Sequence, residues 1–291
     1  MYTVSACVND ISVVHVPLDP ENSFALDTDA ILSTLSSPAG ANIKLIYVCS
    51  PGNPTATLVP KSAIEPLLTH PTWNGIVVVD EAYVDFAAAG PSASLAEWVT
   101  EWPNLVVMQT LSKAFGLAGI RLGAAFASEE VAALLNNLKA PYNISSVTSQ
   151  LASQALQQEH LEVMRGNLEK IVAQRDRLVK QLPRIPGLGR FRGGFESNFL
   201  LVEVLDRPEG KPCNETALKV YERLAENKGV VVRYRGKEYG CQGCLRITVG
   251  TEKEVDRFLE QLKVVLGEVY KGGKANGVTE EQERDANDVV A

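Results

Sequence analysis

The residues best suited to chemistry begin with a lysine in a loop of small and apolar residues. Lys113 lies in the segment TLSKAFGLAGIRLG (110–123), which starts where an apolar run ends. A lysine among such neighbours is expected to lose hydration, and this favours the neutral amine that attacks an aldehyde. Ser112 supplies a hydroxyl and Arg121 a planar cation, which together with backbone N–H groups hold phosphate. The alternative is an ordinary solvated lysine, because most lysines are exposed.

A second segment brings two carboxylates and a phenol to the end of an apolar run. Asp80, Glu81 and Tyr83 follow directly on residues 76–79. A nucleotide-hydrolysing strand has the same appearance, but it requires an upstream loop of the form GxxxxGK[ST], and these residues contain none. An acidic cap on a following helix is the other alternative, and it explains one carboxylate without explaining Tyr83.

Two further segments carry an amide and arginines. Asn53 lies in SPGNPT (50–55) after another apolar run. Open α/β sheets bind ligands at the carboxyl ends of their strands, although a simple turn explains the same residues. Arg246 lies between Leu245 and Ile247, with Arg233 upstream. If it faces a cleft, Arg246 can bind a carboxylate through two hydrogen bonds; an exposed strand arginine is the alternative.

The pair Cys241 and Cys244 has the spacing of half a zinc site. Structural zinc requires four ligands, and the sequence offers neither a second CxxC nor paired histidines. The sequence therefore predicts no metal site.

Composition excludes several classes of function. The formal net charge is −7 and no basic block is present, which argues against a nucleic-acid partner. Met1 is not followed by a basic stretch with an apolar core, and the five cysteines are sparse, so a reduced, cytoplasmic protein is expected. No run approaches 18 apolar residues, so no membrane span is predicted.

The elements that position these residues alternate between strands and helices. Apolar runs at 43–49, 76–80, 105–109 and 123–127 predict strands covered on both faces, and hence a mostly parallel sheet flanked by helices, an α/β fold. A helical stretch over 145–181 leads to a boundary rich in proline and glycine. Beyond it, strands at 198–204 and 229–233 and helices at 216–226 and 253–266 predict a smaller α+β unit. The domains are therefore 1–182 and 183–270, followed by a polar tail, 271–291, that is expected to be disordered.

In this order, the segments resemble the fold-type I, pyridoxal-phosphate-dependent aminotransferases, and specifically the histidinol-phosphate aminotransferase family. The likeness runs from residue 1 to about residue 270. Its most specific segments are SPGNPT (50–55), VVDEAYVDF (78–86), TLSKAFGLAGIRLG (110–123), APYNIS (140–145), SNFLL (197–201) and GCLRITVGT (243–251).

The resemblance implies the cofactor pyridoxal 5'-phosphate and a role for each polar residue at the ring. Lys113 would bind the cofactor as a Schiff base and carry the proton between substrate and cofactor. Asp80 would pair with the pyridine nitrogen and keep it protonated. Asn53 and Tyr83 would hydrogen-bond the cofactor's phenolic oxygen.

The remaining residues would bind anions. By the resemblance, Ser112 and Arg121 anchor the cofactor phosphate. Arg246, helped by Arg233 and by Asn53, receives the substrate anion. The implied reaction moves an amino group between L-histidinol phosphate and 2-oxoglutarate in histidine biosynthesis, in a homodimer.

The chain also departs from the family pattern. Relatives begin well before the point that matches Met1, and that segment carries a tyrosine that stacks on the cofactor and a helix start that binds its phosphate. Cofactor binding is therefore expected to be weaker. A truncated, impaired homologue acting as a partner subunit is one alternative, and a threonine-phosphate decarboxylase is another. Ala56 stands where many relatives have glycine and is expected to be tolerated if its φ is not positive.

Overall fold

The computed structural model describes residues 2–287, with side chains as far as Lys271. The strands are β1 (Leu45–Cys49), β2 (Ile76–Asp80), β3 (Leu105–Thr110), β4 (Gly123–Phe126), β5 (Leu188–Arg192), β6 (Phe199–Val204), β7 (Arg233–Tyr234) and β8 (Cys244–Thr248). The helices are α1 (Tyr2–Val8), α2 (Thr28–Ser36), α3 (Lys61–Leu68), α4 (Glu129–Leu138), α5 (Ser146–Ala155), α6 (Gln158–Gln181), α7 (Asn214–Lys228) and α8 (Glu252–Asn287). Within this described part, no helix is both long and apolar enough to cross a membrane.

The first sheet has the order β1-β2-β3-β4, with β1, β2 and β3 parallel and β4 antiparallel. This confirms the mostly parallel sheet. β-branched residues dominate β2, and Val77 and Val79 are fully buried, as expected for a strand covered on both faces. The same expectation is wrong for β1 and β4, which are largely exposed because they form the two outer edges of the described sheet.

The second sheet is antiparallel, with the order β5-β6-β8-β7. The strand expected at 198–204 is present as β6, but the one expected at 229–233 is wrong, since β7 has only two residues. Gly229 instead ends α7 in the left-handed conformation, and the Val230 N–H donates to the Leu224 carbonyl at 2.9 Å. That arrangement is a helix-terminating motif, so the apolar run after Gly229 follows the end of a helix.

The helical stretch at 145–181 consists of two helices, α5 and α6. Ser145 caps α5 by accepting the Thr148 N–H at 3.0 Å. From α6, the buried Arg175 donates to the Phe86 carbonyl at 3.1 Å and to the Ser197 carbonyl at 3.3 Å. Leu178, also in α6, already packs in the core of the second sheet. The domain boundary after residue 182 stays a prediction.

Two further expectations concern single segments. Ala56 is buried and has a φ of +53°, so the expectation that alanine replaces glycine here without cost does not hold. A residue with a side chain in this left-handed conformation costs about 1 kcal/mol of backbone strain. The backbone of α8 continues through Asn287, into the expected disordered tail. Side chains after Lys271 and the backbone of 288–291 lie outside the described residues, so disorder of the tail stays a prediction.

Glu81, the residue after β2, connects the end of β2 to residues 94–95 and to β3. Its carboxylate accepts the Leu95 N–H and the Ser94 hydroxyl, both at 2.6 Å, and the Gln109 side-chain amide at 2.9 Å. Only 2% of the residue is exposed, and this burial raises the pKa of Glu81 although the hydrogen bonds oppose the rise. The second carboxylate of the Asp80-Glu81 pair is therefore a structural group.

Replacing Glu81 with alanine is expected to lower the free energy of unfolding by about 3 kcal/mol, because three donors lose their acceptor, and Glu81→Gln by about 1 kcal/mol. Since the folded pKa is raised, the stabilising contribution of Glu81 is complete below its unfolded pKa and is lost as the pH rises through the folded pKa. Urea denaturation of wild type and Glu81→Gln across that window measures this. A stability difference that grows in favour of wild type with rising pH contradicts the assignment.

Candidate active site

Three of the predicted site residues stand at one edge of the first sheet. Asn53 follows β1, Asp80 ends β2 and Lys113 follows β3. The register pairs Cys49 with Asp80 and Asp80 with Met108, so the carboxyl ends of these parallel strands are level. This edge is where open α/β sheets bind ligands.

Both oxygens of the Asp80 carboxylate accept hydrogen bonds. Oδ1 accepts the Ala82 N–H at 3.0 Å, and Oδ2 accepts the hydroxyl of Tyr2 from α1. The Tyr2 ring packs against Tyr47 of β1, with ring centroids 4.6 Å apart. Burial, followed by the hydrogen bond and charge of Asp80, raises the pKa of the Tyr2 phenol. The phenol therefore stays protonated as a donor to Asp80.

An aromatic pair connects the lysine to the second sheet. Tyr83 is buried and meets Phe199 of β6 edge-on, with centroids 5.1 Å apart. The Lys113 Nζ lies 5.3 Å from the centroid of the Tyr83 ring. Lys113 itself is exposed, so the expectation of a desolvated amine is wrong for this structure. Its loop extends beyond the end of β3, where the aromatic ring supplies contact without covering the amine.

Arg246 of β8 joins the two sheets at the site. Its Nη1 donates to the Asn53 Oδ1 at 2.6 Å, and its guanidinium carbon lies 4.9 Å from the Phe199 ring centroid. The register sets Arg233 directly opposite Arg246, which puts two cations on one face of the sheet. Burial first, and then Arg235 and Arg233, lower the pKa of Arg246. Two repelling guanidinium groups opposite each other on one face of the sheet favour an anionic ligand.

Ser112 and Arg121 lie in the loop that also carries Lys113. The Ser112 hydroxyl accepts the Thr110 hydroxyl at 2.9 Å, and the exposed Arg121 donates to the Ala118 carbonyl at 3.0 Å. Among the hydrogen bonds of the described residues, none links Ser112 to Arg121. The structure therefore places these two groups in one loop without joining them, and their joint action on a phosphate stays a prediction.

Sequence reasoning missed two aromatic contacts. Phe199 lies inside the quoted SNFLL segment, but only the fold shows that its ring separates Tyr83 from Arg246. Tyr2 is 78 positions from Asp80, and no spacing rule connects a residue of α1 with the end of β2. Within the part of the chain that the structure describes, no three His, Cys, Asp or Glu side chains gather as a metal site.

An amine, a carboxylate and a phenol at the carboxyl edge of a mostly parallel sheet, with an arginine of the second sheet bonded to Asn53, define the site of an α/β enzyme of the kind that binds an aldehyde cofactor on a lysine. The model of the family "Aminotransferase class I and II" matches residues 1–262. The chain belongs to this aminotransferase family.

Curated relatives and solved structures agree with this assignment. The chain is 52% identical to a histidinol-phosphate aminotransferase of Schizosaccharomyces pombe, over 93% of this chain and 69% of the relative. It is 46% identical to the Saccharomyces cerevisiae protein of the same name, over 91% of this chain and 66% of the relative. The chain thus spans about two thirds of the length of these relatives.

The fold also matches solved structures of enzymes with two different activities. A histidinol-phosphate aminotransferase from Clostridium acetobutylicum superposes with a TM-score of 0.79, at 23% identity, over 92% of this chain and 75% of that one. An L-threonine-O-3-phosphate decarboxylase from Porphyromonas gingivalis superposes with a TM-score of 0.71, at 19% identity, over 91% of this chain and 74% of that one. At these identities the likeness establishes the fold alone.

Proposed function

We propose that the chain transfers an amino group between L-histidinol phosphate and 2-oxoglutarate with pyridoxal phosphate as cofactor. The observation that supports the proposal is the contact series from Asn53 through Arg246, Phe199 and Tyr83 to Lys113, which connects an arginine to the lysine through two aromatic rings. The names of the curated relatives support the choice of substrate.

The residues present fit pyridoxal phosphate by their chemistry. Asp80 offers a carboxylate that already accepts two hydrogen bonds, which suits the pyridine nitrogen. Tyr83 and Asn53 supply donors for the phenolic oxygen, and Lys113 supplies the amine for the aldehyde. A hydroxyl from Ser112 and a guanidinium from Arg121 suit the phosphate.

When bound, the cofactor supplies a ring that accepts the electrons left on the substrate carbon as its proton departs. The chain's own residues perform the remaining tasks. The Lys113 amine takes that proton from the substrate carbon as a general base. It then acts as a general acid and delivers the proton to the carbon that was the cofactor's aldehyde. Asp80 holds a negative charge against the ring nitrogen. Arg246 and Arg233 bind the substrate's carboxylate or phosphate and so fix the carbon near the amine.

A direct assay tests the proposal. The purified chain, supplied with pyridoxal phosphate, is incubated with L-histidinol phosphate and 2-oxoglutarate, and glutamate formation is followed. The same preparation is incubated with threonine phosphate, and carbon dioxide release is measured. Glutamate without carbon dioxide is the expected result. Carbon dioxide release alone supports the decarboxylase alternative. If neither product forms, the proposal that this chain is catalytic is rejected.

Replacing Arg246 with lysine is expected to raise the KM for histidinol phosphate by about 10- to 100-fold, because a lysine cannot form the bidentate pair with an anion. Steady-state kinetics measure the change, and kcat is expected to fall less than kcat/KM. Arg257→Lys in α8 is the matched control, since Arg257 donates to the Lys228 carbonyl and lies outside the site. An unchanged KM in Arg246→Lys rules out Arg246 as the anion receptor.

We also propose a cytoplasmic homodimer. Apolar side chains stand exposed on α1, on α4 and in the segment that follows α4, among them Val8, Leu138 and Tyr142, which are 80%, 83% and 100% exposed. Apolar surface of this extent favours association. A monodisperse dimer in light scattering supports the homodimer, whereas dimerisation only with a longer homologous subunit supports the partner-subunit alternative.

A further inference from the structure

The carboxylate of Asp80 is held from two sides by donors of different origin. The Ala82 N–H belongs to the turn that follows β2, and it fixes Oδ1 at 3.0 Å. The Tyr2 hydroxyl belongs to α1, and it donates to Oδ2. The Tyr2 ring is in turn fixed against Tyr47 of the neighbouring strand β1. A helix of seven residues with no buried side chain thus contributes one specific contact, and that contact reaches the proposed site.

We propose that Tyr2 is a positioning residue for Asp80, which orients the carboxylate toward the pyridine nitrogen of the bound cofactor. The inference rests on the proposed function and adds a residue to it. A carboxylate oxygen has lone pairs for two donors, so Oδ2 can accept the phenol and still accept the ring N–H. With both oxygens bonded, the carboxylate cannot rotate about its terminal torsion, and its charge is already directed when the cofactor arrives.

The test compares Tyr2→Phe with wild type in the affinity for two probes. One is pyridoxal phosphate, and the other is its analogue with carbon in place of the ring nitrogen. Tyr2→Phe keeps the ring that packs on Tyr47 and removes only the hydroxyl. We expect the dissociation constant for pyridoxal phosphate, measured by equilibrium dialysis, to rise about 5- to 10-fold, and that for the analogue to stay unchanged. Tyr221→Phe, a half-buried tyrosine of α7, is the matched control and is expected to match wild type with both probes.

Two further measurements separate positioning from a structural role. In an Asp80→Asn background, Tyr2→Phe is expected to leave the affinity for pyridoxal phosphate unchanged, because the charge that it orients is gone. The thermal midpoint of the cofactor-free chain is expected to differ little between Tyr2→Phe and wild type. Equal losses with both probes, or a loss that persists in Asp80→Asn, mean that the hydroxyl acts through general packing and overturn the inference.

Other outcomes are equally decisive. Tighter binding of pyridoxal phosphate by Tyr2→Phe means that the phenol competes with the ring nitrogen, which reverses the proposed role. If wild type binds the cofactor and forms glutamate while Tyr2→Phe matches it with both probes, the inference fails and the proposed function stands. If wild type binds no pyridoxal phosphate at all, both fail.

Discussion

Replacement of Lys113 by alanine is expected to abolish amino transfer, with a loss in kcat of about 10⁴-fold or more, because one amine both binds the cofactor and moves the proton. The visible absorbance band that the chain acquires with pyridoxal phosphate is expected to disappear in the same variant. Stopped-flow spectra of the half-reaction with histidinol phosphate measure both effects.

Two companion variants make the Lys113 result specific. Lys113→Arg keeps a cation 5.3 Å from Tyr83 but offers no amine able to condense, so it is expected to be as inactive as alanine. Lys139→Ala, which removes an exposed lysine just after α4, is expected to match wild type. A Lys113→Ala chain that retains the band means that the cofactor binds another amine.

Replacing Asp80 with asparagine is expected to lower kcat by about 10²- to 10³-fold, the usual size of the loss when one preorganised electrostatic group is removed from a site. An amide keeps the shape and can still accept the Ala82 N–H, but it has no charge with which to keep the pyridine nitrogen protonated. The KM for histidinol phosphate is expected to change less, because the proposed receptors of the substrate anion are Arg246 and Arg233.

A neighbouring carboxylate provides the control for Asp80. Asp85 lies five residues further along the chain, is half-buried, and has a pKa raised by burial, so it shares the environment of Asp80 without standing at the end of a strand. Asp85→Asn is expected to keep kcat within about twofold, because surface and loop substitutions away from a site change little. Equal losses in both variants indicate damage to the loop instead of loss of the ring partner.

The sequence predicted the fold where burial leaves a simple pattern. The run IVVVD gave β2 with its observed ends, because β-branched residues in an unbroken apolar run suit a covered central strand. That placement carried Asp80 to the correct edge of the sheet, and the same reasoning placed Asn53 and Lys113 beside it. Their roles toward the cofactor remain predictions, but their shared location follows from parallel pairing.

The errors occur where contacts that the residue pattern does not reveal decide the structure. The segment after Gly229 has the composition of a strand, yet the Val230 N–H donates to the Leu224 carbonyl at the end of α7. Lys113 has apolar neighbours in sequence but is exposed. Its loop extends beyond the edge of the sheet, where residues adjacent in sequence do not cover the side chain. Tyr2 reaches Asp80 only because β1 and β2 are adjacent, and that adjacency is a property of the whole sheet.

The hydrogen bond between Asn53 and Arg246 sets a requirement for any ligand that binds the guanidinium. In the free chain the guanidinium already has a neutral partner, so an arriving ligand must give at least as much as the amide that it displaces. That bond is already assisted by the charge of the arginine, so an uncharged group only exchanges it for another of the same kind, whereas a phosphate or carboxylate adds the attraction of opposite charges and can form two parallel hydrogen bonds. On the proposed role of Arg246, the dephosphorylated alcohol, which has the shape of the proposed substrate around its reacting carbon but carries no phosphate, gains little by displacing the amide and is expected to bind more weakly.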